Sequence, residues 1–218
     1  MTERPTPILY ADAFFNIGEE SFRPGHASAI PLAWRPKDMS AADNGWGFVL
    51  FPADRTSPPV YAFGSVPPAV LERFATRRAF IFILEALAQC LPLWALGPAL
   101  TGPYWSFVDN TAAQHALTRG YSGNAAANAV ISAFWVAASR YAASPWFERV
   151  PSKANISDAV SRRDFTFAED QGRRRLDFDF TQVYMLLADF VDSGSFDVEP
   201  LVKNILEDLS AQRPSLGL

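Results

Sequence analysis

Carboxylates interrupt the apolar segments of this chain at four widely separated places. Asp12 breaks the run Pro-Ile-Leu-Tyr-Ala-Asp-Ala-Phe-Phe (7–15), and Glu85 stands inside the helix-like Ala-Phe-Ile-Phe-Ile-Leu-Glu-Ala-Leu-Ala (79–88). Asp109 ends the strand-like Tyr-Trp-Ser-Phe-Val-Asp (104–109), and Asp158 closes Val-Pro-Ser-Lys-Ala-Asn-Ile-Ser-Asp (150–158). An ionised carboxylate inside an apolar element is costly unless it is paired or coordinates a metal. The fold must therefore give all four a partner, and one metal site assembled from distant parts of the chain does so at once.

The chain has the material for such a fold. Its 218 residues suit one domain of generous size or one domain with appendages, and 49% apolar with 14% aromatic residues excludes a disordered chain. A net charge of -4 argues against a strongly basic nucleic-acid protein, although local charge counts for more than the sum. Cys90 is the single cysteine, which excludes an internal disulfide and a cysteine-rich zinc site; in its apolar helix it reads as a buried, inert thiol. The opening Met-Thr-Glu-Arg-Pro-Thr-Pro lacks the apolar core of a secretory signal, which predicts an intracellular protein, nuclear or cytoplasmic. The stretch 79–100 carries Glu85, Gln89, Pro92 and Pro98, so it reads as a core helix rather than a membrane span, and no membrane partner is expected.

Periodicity and turn residues predict strands at 7–15, 44–51 and 60–66, a helix over about 69–91 kinked or ended by Pro92, and a strand at 104–109. Helices at 111–118 and about 124–143, a strand at 145–150 and a core helix entered at Asp158 follow. This β-β-β-α-β-α-α-β-α order predicts an α/β fold with a mixed five-stranded sheet flanked by helices. Residues 16–43, with Pro24, Gly25, Pro31 and Pro36, read as a long insertion loop. The composition changes after 163, so 1–163 reads as the main domain and 164–218 as a helical C-terminal extension, with amphipathic helices at about 181–191 and 197–210. Arg173, Arg174 and Arg175 could meet phosphate or equally pair with neighbouring acids in that tail.

Several segments are distinctive together: Gly-Trp-Gly (45–47), Phe-Val-Asp-Asn-Thr-Ala-Ala (107–113), Leu-Thr-Arg-Gly-Tyr-Ser (117–122) and Val-Pro-Ser-Lys-Ala-Asn-Ile-Ser-Asp-Ala-Val-Ser-Arg (150–162). With the order of elements and acids, residues 7–163 resemble the ribonuclease H-like domain that follows reverse transcriptase in retroelements, particularly the tyrosine-recombinase and protist types. The resemblance implies a ribonuclease H-like sheet and a metal-dependent endonuclease that hydrolyses the RNA strand of RNA–DNA hybrids. It implies two Mg²⁺ (or Mn²⁺) ions held by Asp12, Glu85, Asp109 and Asp158, and a reverse transcriptase or another protein as a further partner. The chain departs from the pattern in its long insertion after the first strand, in having no histidine near Asp158, and in lacking a basic substrate-binding protrusion. Asp38 and Asp43, just ahead of Gly-Trp-Gly, compete with Asp12 for the first ligand position; the strand directly before Asp12 favours the latter.

Such chemistry needs hard oxygen ligands, because two divalent ions about 4 Å apart stabilise the attacking water, the anionic phosphorus centre and the leaving oxygen. A hybrid would be held through phosphates and 2′-hydroxyls. Arg73, Arg77 and Arg78 on the first helix, Arg119, and Arg162 are candidates for phosphate contact, with Tyr121 and Arg163 behind them; solvated surface charge is the plain alternative for each arginine. Asn110 and Asn155 could support ligating carboxylates or act as caps and turn formers. His115 reads as structural, and His26 has no metal-ligand spacing. The alternative to the enzyme is a catalytically inactive ribonuclease H-like module that binds protein or nucleic acid. A 3′–5′ exonuclease on the same fold would carry two acids one residue apart on the first strand, whereas Phe14 stands where the second would be.

Overall fold

The strand that carries Asp12 lies inside the sheet, and its alternation divides the molecule. A computed structural model of the chain describes residues 5–16, 43–54, 56–75 and 80–212. In β1 (Ile8–Asn16), Leu9, Ala11, Ala13 and Phe15 enter the main core. Ile8, Tyr10, Asp12 and Phe14 therefore face the other side. The sheet is mixed and six-stranded, in the order β5-β4-β1-β2-β3-β6. β2 (Asp43–Phe51) runs antiparallel to β1 and β3 (Val60–Gly64) antiparallel to β2. β4 (Gly102–Val108) runs parallel to β1, and β5 (Ala143–Arg149) parallel to β4.

Helices cover the two faces unequally. The main core holds α1 (Pro68–Ala75), α2 (Phe80–Leu96), α3 (Thr111–Arg119) and α4 (Ala125–Arg140) against the Leu9 side. α7 (Thr181–Ser193) and α8 (Glu199–Ala211) complete that layer through Val183, Tyr184, Leu187, Val202 and Ile205. Trp46 Nε1 donates to the Tyr184 hydroxyl at 2.5 Å, so a β2 side chain is tied to the C-terminal helices. Among the described residues, the opposite face carries the short α5 (Ser157–Ser161) and α6 (Thr166–Asp170), joined by a small cluster of Val49, Tyr61, Val160 and Ala168.

Three expectations change. The single helix over 69–91 is two elements, α1 and α2, on either side of residues outside the description. Pro92 does not end α2, which continues to Leu96; burying Leu91, Leu93 and Trp94 completely offsets the backbone hydrogen bond that proline removes. The sheet has a sixth strand, β6 (Arg174–Arg175), parallel to β3. Arg175 pairs with neighbouring Asp177 at 2.9 Å, as expected, and also lies 4.7 Å over Phe63, while Arg173 lies 4.4 Å over Phe167 and 5.4 Å over Phe51. Ile81–Leu100 is long and apolar enough to cross a membrane, and 94% of its apolar window is buried inside the fold.

Candidate metal centre

The site lies where two parallel strands part. The β1–β4 register runs from Ile8↔Trp105 to Tyr10↔Phe107, just short of Asp12 and Asp109. From β1 the chain turns to one side of the sheet through β2 and then crosses by α2 to β4 on the other, the kind of switch point at which open α/β sheets form their crevices. Gln89, with no exposure, holds the strands there. Its Nε2 donates to the carbonyls of Ala11 at 3.0 Å and Phe107 at 3.2 Å, and its Oε1 accepts from Ser106 Oγ at 2.9 Å. One helical turn earlier on α2 stands Glu85.

Asp12, Glu85 and Asp109 each offer an oxygen within 4.8 Å of the others. Asp12 and Glu85 are buried at 3% and 7% exposure, and Asp109 is half-buried. Ser161 Oγ lies 2.7 Å from Asp12 Oδ2 and 2.9 Å from the Asp158 carbonyl oxygen. The Ala13 N–H supports Glu85, whose Oε2 is buried with no hydrogen-bond partner. The Ser152 hydroxyl donates to Asp109.

Burial and mutual repulsion push all three acids toward protonation. Loss of water raises Asp12 to about 7, Asp109 adds to the rise, and the Ser161 hydrogen bond opposes it. Glu85 moves well above the usual carboxylate range through burial, then through the charges of Asp12 and Asp109. Asp109 is raised by burial, against the hydrogen bond from Ser152. Oxygen-only ligands, an unpartnered buried carboxylate oxygen and three acids that repel one another are the environment a hard divalent cation relieves. This group could hold a metal ion.

Asp158 stands at the rim. It is half-exposed at the start of α5, outside the tight group, and Arg162 Nε donates to its Oδ1 at 3.0 Å. Its charge nevertheless raises Asp12, Glu85 and Asp109. Two glycines of β2 set this arrangement. A Cβ on Gly47, which pairs with Asp12, would lie 2.5 Å from the Ser161 nitrogen, and one on Gly45 2.3 Å from the Ser161 carbonyl oxygen. The Gly-Trp-Gly segment is thus the surface on which α5 rests, at a distance no side chain allows.

The other candidates divide. Asn155 belongs to the site: its Nδ2 donates to the Ala11 carbonyl at 3.4 Å and its Oδ1 accepts from Ser157 Oγ at 2.6 Å. Asn110, beside Asp109, caps α3 by accepting from the Ala113 N–H at 3.0 Å. Arg162 pairs with Asp158 and stacks 5.0 Å over Phe14. Arg73 instead joins α1 to α7 through Asp189 and Asp192, and Arg119 is exposed at the far end of α3 from Asn110. Arg163 donates to Ser65 Oγ, and Tyr121 and His115 are exposed. Arg77, Arg78, Asp38 and His26 lie outside the described residues, and Asp43 is exposed at the start of β2, away from the acidic group. Sequence reasoning did not single out Gln89, Ser161 or Ser152. Only Gln89 left a signal there, as a polar break in the apolar stretch.

No protein-family model matches the chain, and no curated protein sequence matches it.

Proposed function

We propose that this chain is a divalent-metal-dependent phosphodiester hydrolase of the ribonuclease H type, acting on the RNA strand of RNA–DNA hybrids. The observation that carries the reading is the convergence of Asp12, Glu85 and Asp109 from a strand, a helix and the end of a second strand. The sheet is compatible with it: a mixed sheet flanked by helices, with β1 between β2 and β4, suits the mixed sheet that the resemblance implies.

When bound, two Mg²⁺ or Mn²⁺ ions would supply a polarised water and charge neutralisation at phosphorus and at the leaving 3′-oxygen. Asp12, Glu85 and Asp109 would hold the ions. Glu85 and Asp109 would serve the leaving-group side and Asp158 the water side. Gln89 and Asn155 fix the β1 backbone behind Asp12, so its oxygens are positioned before substrate arrives. Ser161 holds one Asp12 oxygen, and Arg162 moderates the charge of Asp12 and Asp158.

The test is cleavage of a labelled RNA–DNA hybrid with Mg²⁺ or Mn²⁺, together with metal titration by calorimetry. Wild-type protein should cleave, and Asp109→Asn should not. The ion pair that keeps Asp158 at the rim favours a second reading, a module that binds without cutting. Absence of both cleavage and metal binding in the wild type would leave that reading in place.

A further inference from the structure

The same face of the sheet that presents Asp12 carries an aromatic surface, partly exposed among the described residues. Tyr10 and Phe107 are paired across β1 and β4, with rings stacked 4.7 Å apart and 13° from parallel. Trp105 lies two residues before Phe107, and its cross-strand partner Trp146 on β5 meets it at 5.9 Å. Trp105 is 40% exposed and Trp146 62%. The helices packed on β4 and β5 are α3 and α4, and they lie on the other side, where Phe147 meets Phe134. Tyr10 and Phe107 each stand two residues before a carboxylate of the site, about 7 Å along the strand. The aromatic surface therefore runs into the acidic group along both strands.

Charge is uneven along the C-terminal part of the chain. Residues 176–212, which form α7 and α8 on the covered side, hold eight Asp or Glu against one Lys. Residues 143–175, which run from β5 through α5 to β6 on the open side, hold seven Lys or Arg against five acids. Asp12, Glu85 and Asp109 add three acids to the open side. At the β2 edge of the open surface, Phe51 meets Tyr10 at 6.3 Å and carries Arg173, whose Nε and Nη1 are buried without a hydrogen-bond partner.

We infer that this open face, centred on Tyr10, Trp105, Phe107 and Trp146, binds single-stranded nucleic acid by base stacking. Flat rings exposed on a sheet accept any base, and the lysine and arginines of residues 143–175 offer contacts to the backbone. The inference deepens the proposed hydrolase reading by giving an unpaired strand that leaves the hybrid a place beside the acidic group.

The experiment uses the full chain with EDTA, so that binding is read without cleavage. An oligothymidylate and an oligoadenylate of about 12 nucleotides are titrated by fluorescence anisotropy and by quenching of tryptophan emission. Quenching is expected with the wild type. Trp146→Ala and Trp105→Ala should each raise Kd at least about fivefold. Phe196→Ala, which removes an aromatic 96% exposed on the acidic side, should leave Kd unchanged. Melting temperatures equal to wild type certify that the tryptophan variants fold. Equal affinity of Trp146→Ala and wild type overturns the inference. So does concentration-dependent self-association abolished by Trp146→Ala in a protein that binds no oligonucleotide. Stacking without metal-dependent cleavage would sink the hydrolase and leave the face; cleavage with affinity untouched by Trp146→Ala would do the reverse.

Discussion

The two faces of the sheet are built from the same strands and solve opposite problems. On the Leu9 side, α1 to α4, α7 and α8 close over an apolar core in which Leu87, Trp94, Val130 and Phe134 are fully or almost fully buried, and its buried Gln89 serves two strand carbonyls and the Ser106 hydroxyl. On the Asp12 side, short helices rest on glycine, carboxylates sit close enough to repel, and Trp105 and Trp146 are exposed. Apolar burial on the first face, roughly 25 cal/mol for each Å² removed from water, tolerates the electrostatic cost accumulated on the second. Stability and chemistry are separated by the pleat of single strands: Ala11 belongs to one, Asp12 to the other.

Substitutions can break or sharpen this division. The largest effect is expected from Asp109→Asn, which should reduce hybrid cleavage at least about 100-fold. Because it removes a charge that raises Asp12 and Glu85, it should leave metal-free stability in urea unchanged or increased. Loss of stability in parallel with activity would mean that the acids support the fold.

The next effect is on pH. Between the ordinary aspartate value of 3.8 and about 7, the folded protein retains on Asp12 a proton that the unfolded chain has released. Folding stability is therefore fullest below that window and falls as pH rises through it, by on the order of 4 kcal/mol. In EDTA, the melting temperature should drop from pH 5 to pH 8. Mg²⁺ or Mn²⁺ should restore it at pH 8 and do little at pH 5, and Asp12→Asn should flatten the curve. A metal-free melting temperature that climbs over this range would refute the electrostatic account.

Gly47→Ala is expected to cost about 3 kcal/mol, because the backbone of Ser161 must move. It should lower cleavage as well, since α5 carries both Ser161 and Asp158. The smallest effect belongs to Gln89→Leu, about 2 kcal/mol in urea unfolding for leaving two carbonyls and the Ser106 hydroxyl short of partners. Its companion signature is weaker metal binding by calorimetry, because the strands behind Asp12 and Asp109 lose their clamp.

What is legible in the sequence is what violates a local rule. Asp12 and Glu85 stand out because charge in an apolar run demands an explanation, and both lie in the acidic group. Strand and helix positions follow from periodicity, as do the amphipathic patterns of α7 and α8; the surface those helices cover does not. Gln89 is uncharged, and its partners are carbonyls freed only when two distant strands diverge. β6 has no strand pattern, because its order comes from rings on β3 and α6 and from a parallel edge. Arg73 is cationic like Arg162, and only tertiary placement sends one to α7 and the other to the acids. Gly-Trp-Gly is visible as a motif, whereas the helix it accommodates lies more than a hundred residues later.

Ser161 has one hydroxyl hydrogen and two oxygens within reach, on Asp12 and on the Asp158 main chain. With Asp12 ionised, that hydrogen belongs to the carboxylate. With Asp12 protonated, the acid donates to Ser161, and the hydroxyl turns to the carbonyl of α5. The charge state of a residue deep in the sheet thereby selects the rotor position at the base of the helix turn that presents Asp158. One hydroxyl thus links the inner acid Asp12 to the main chain of the turn that bears Asp158.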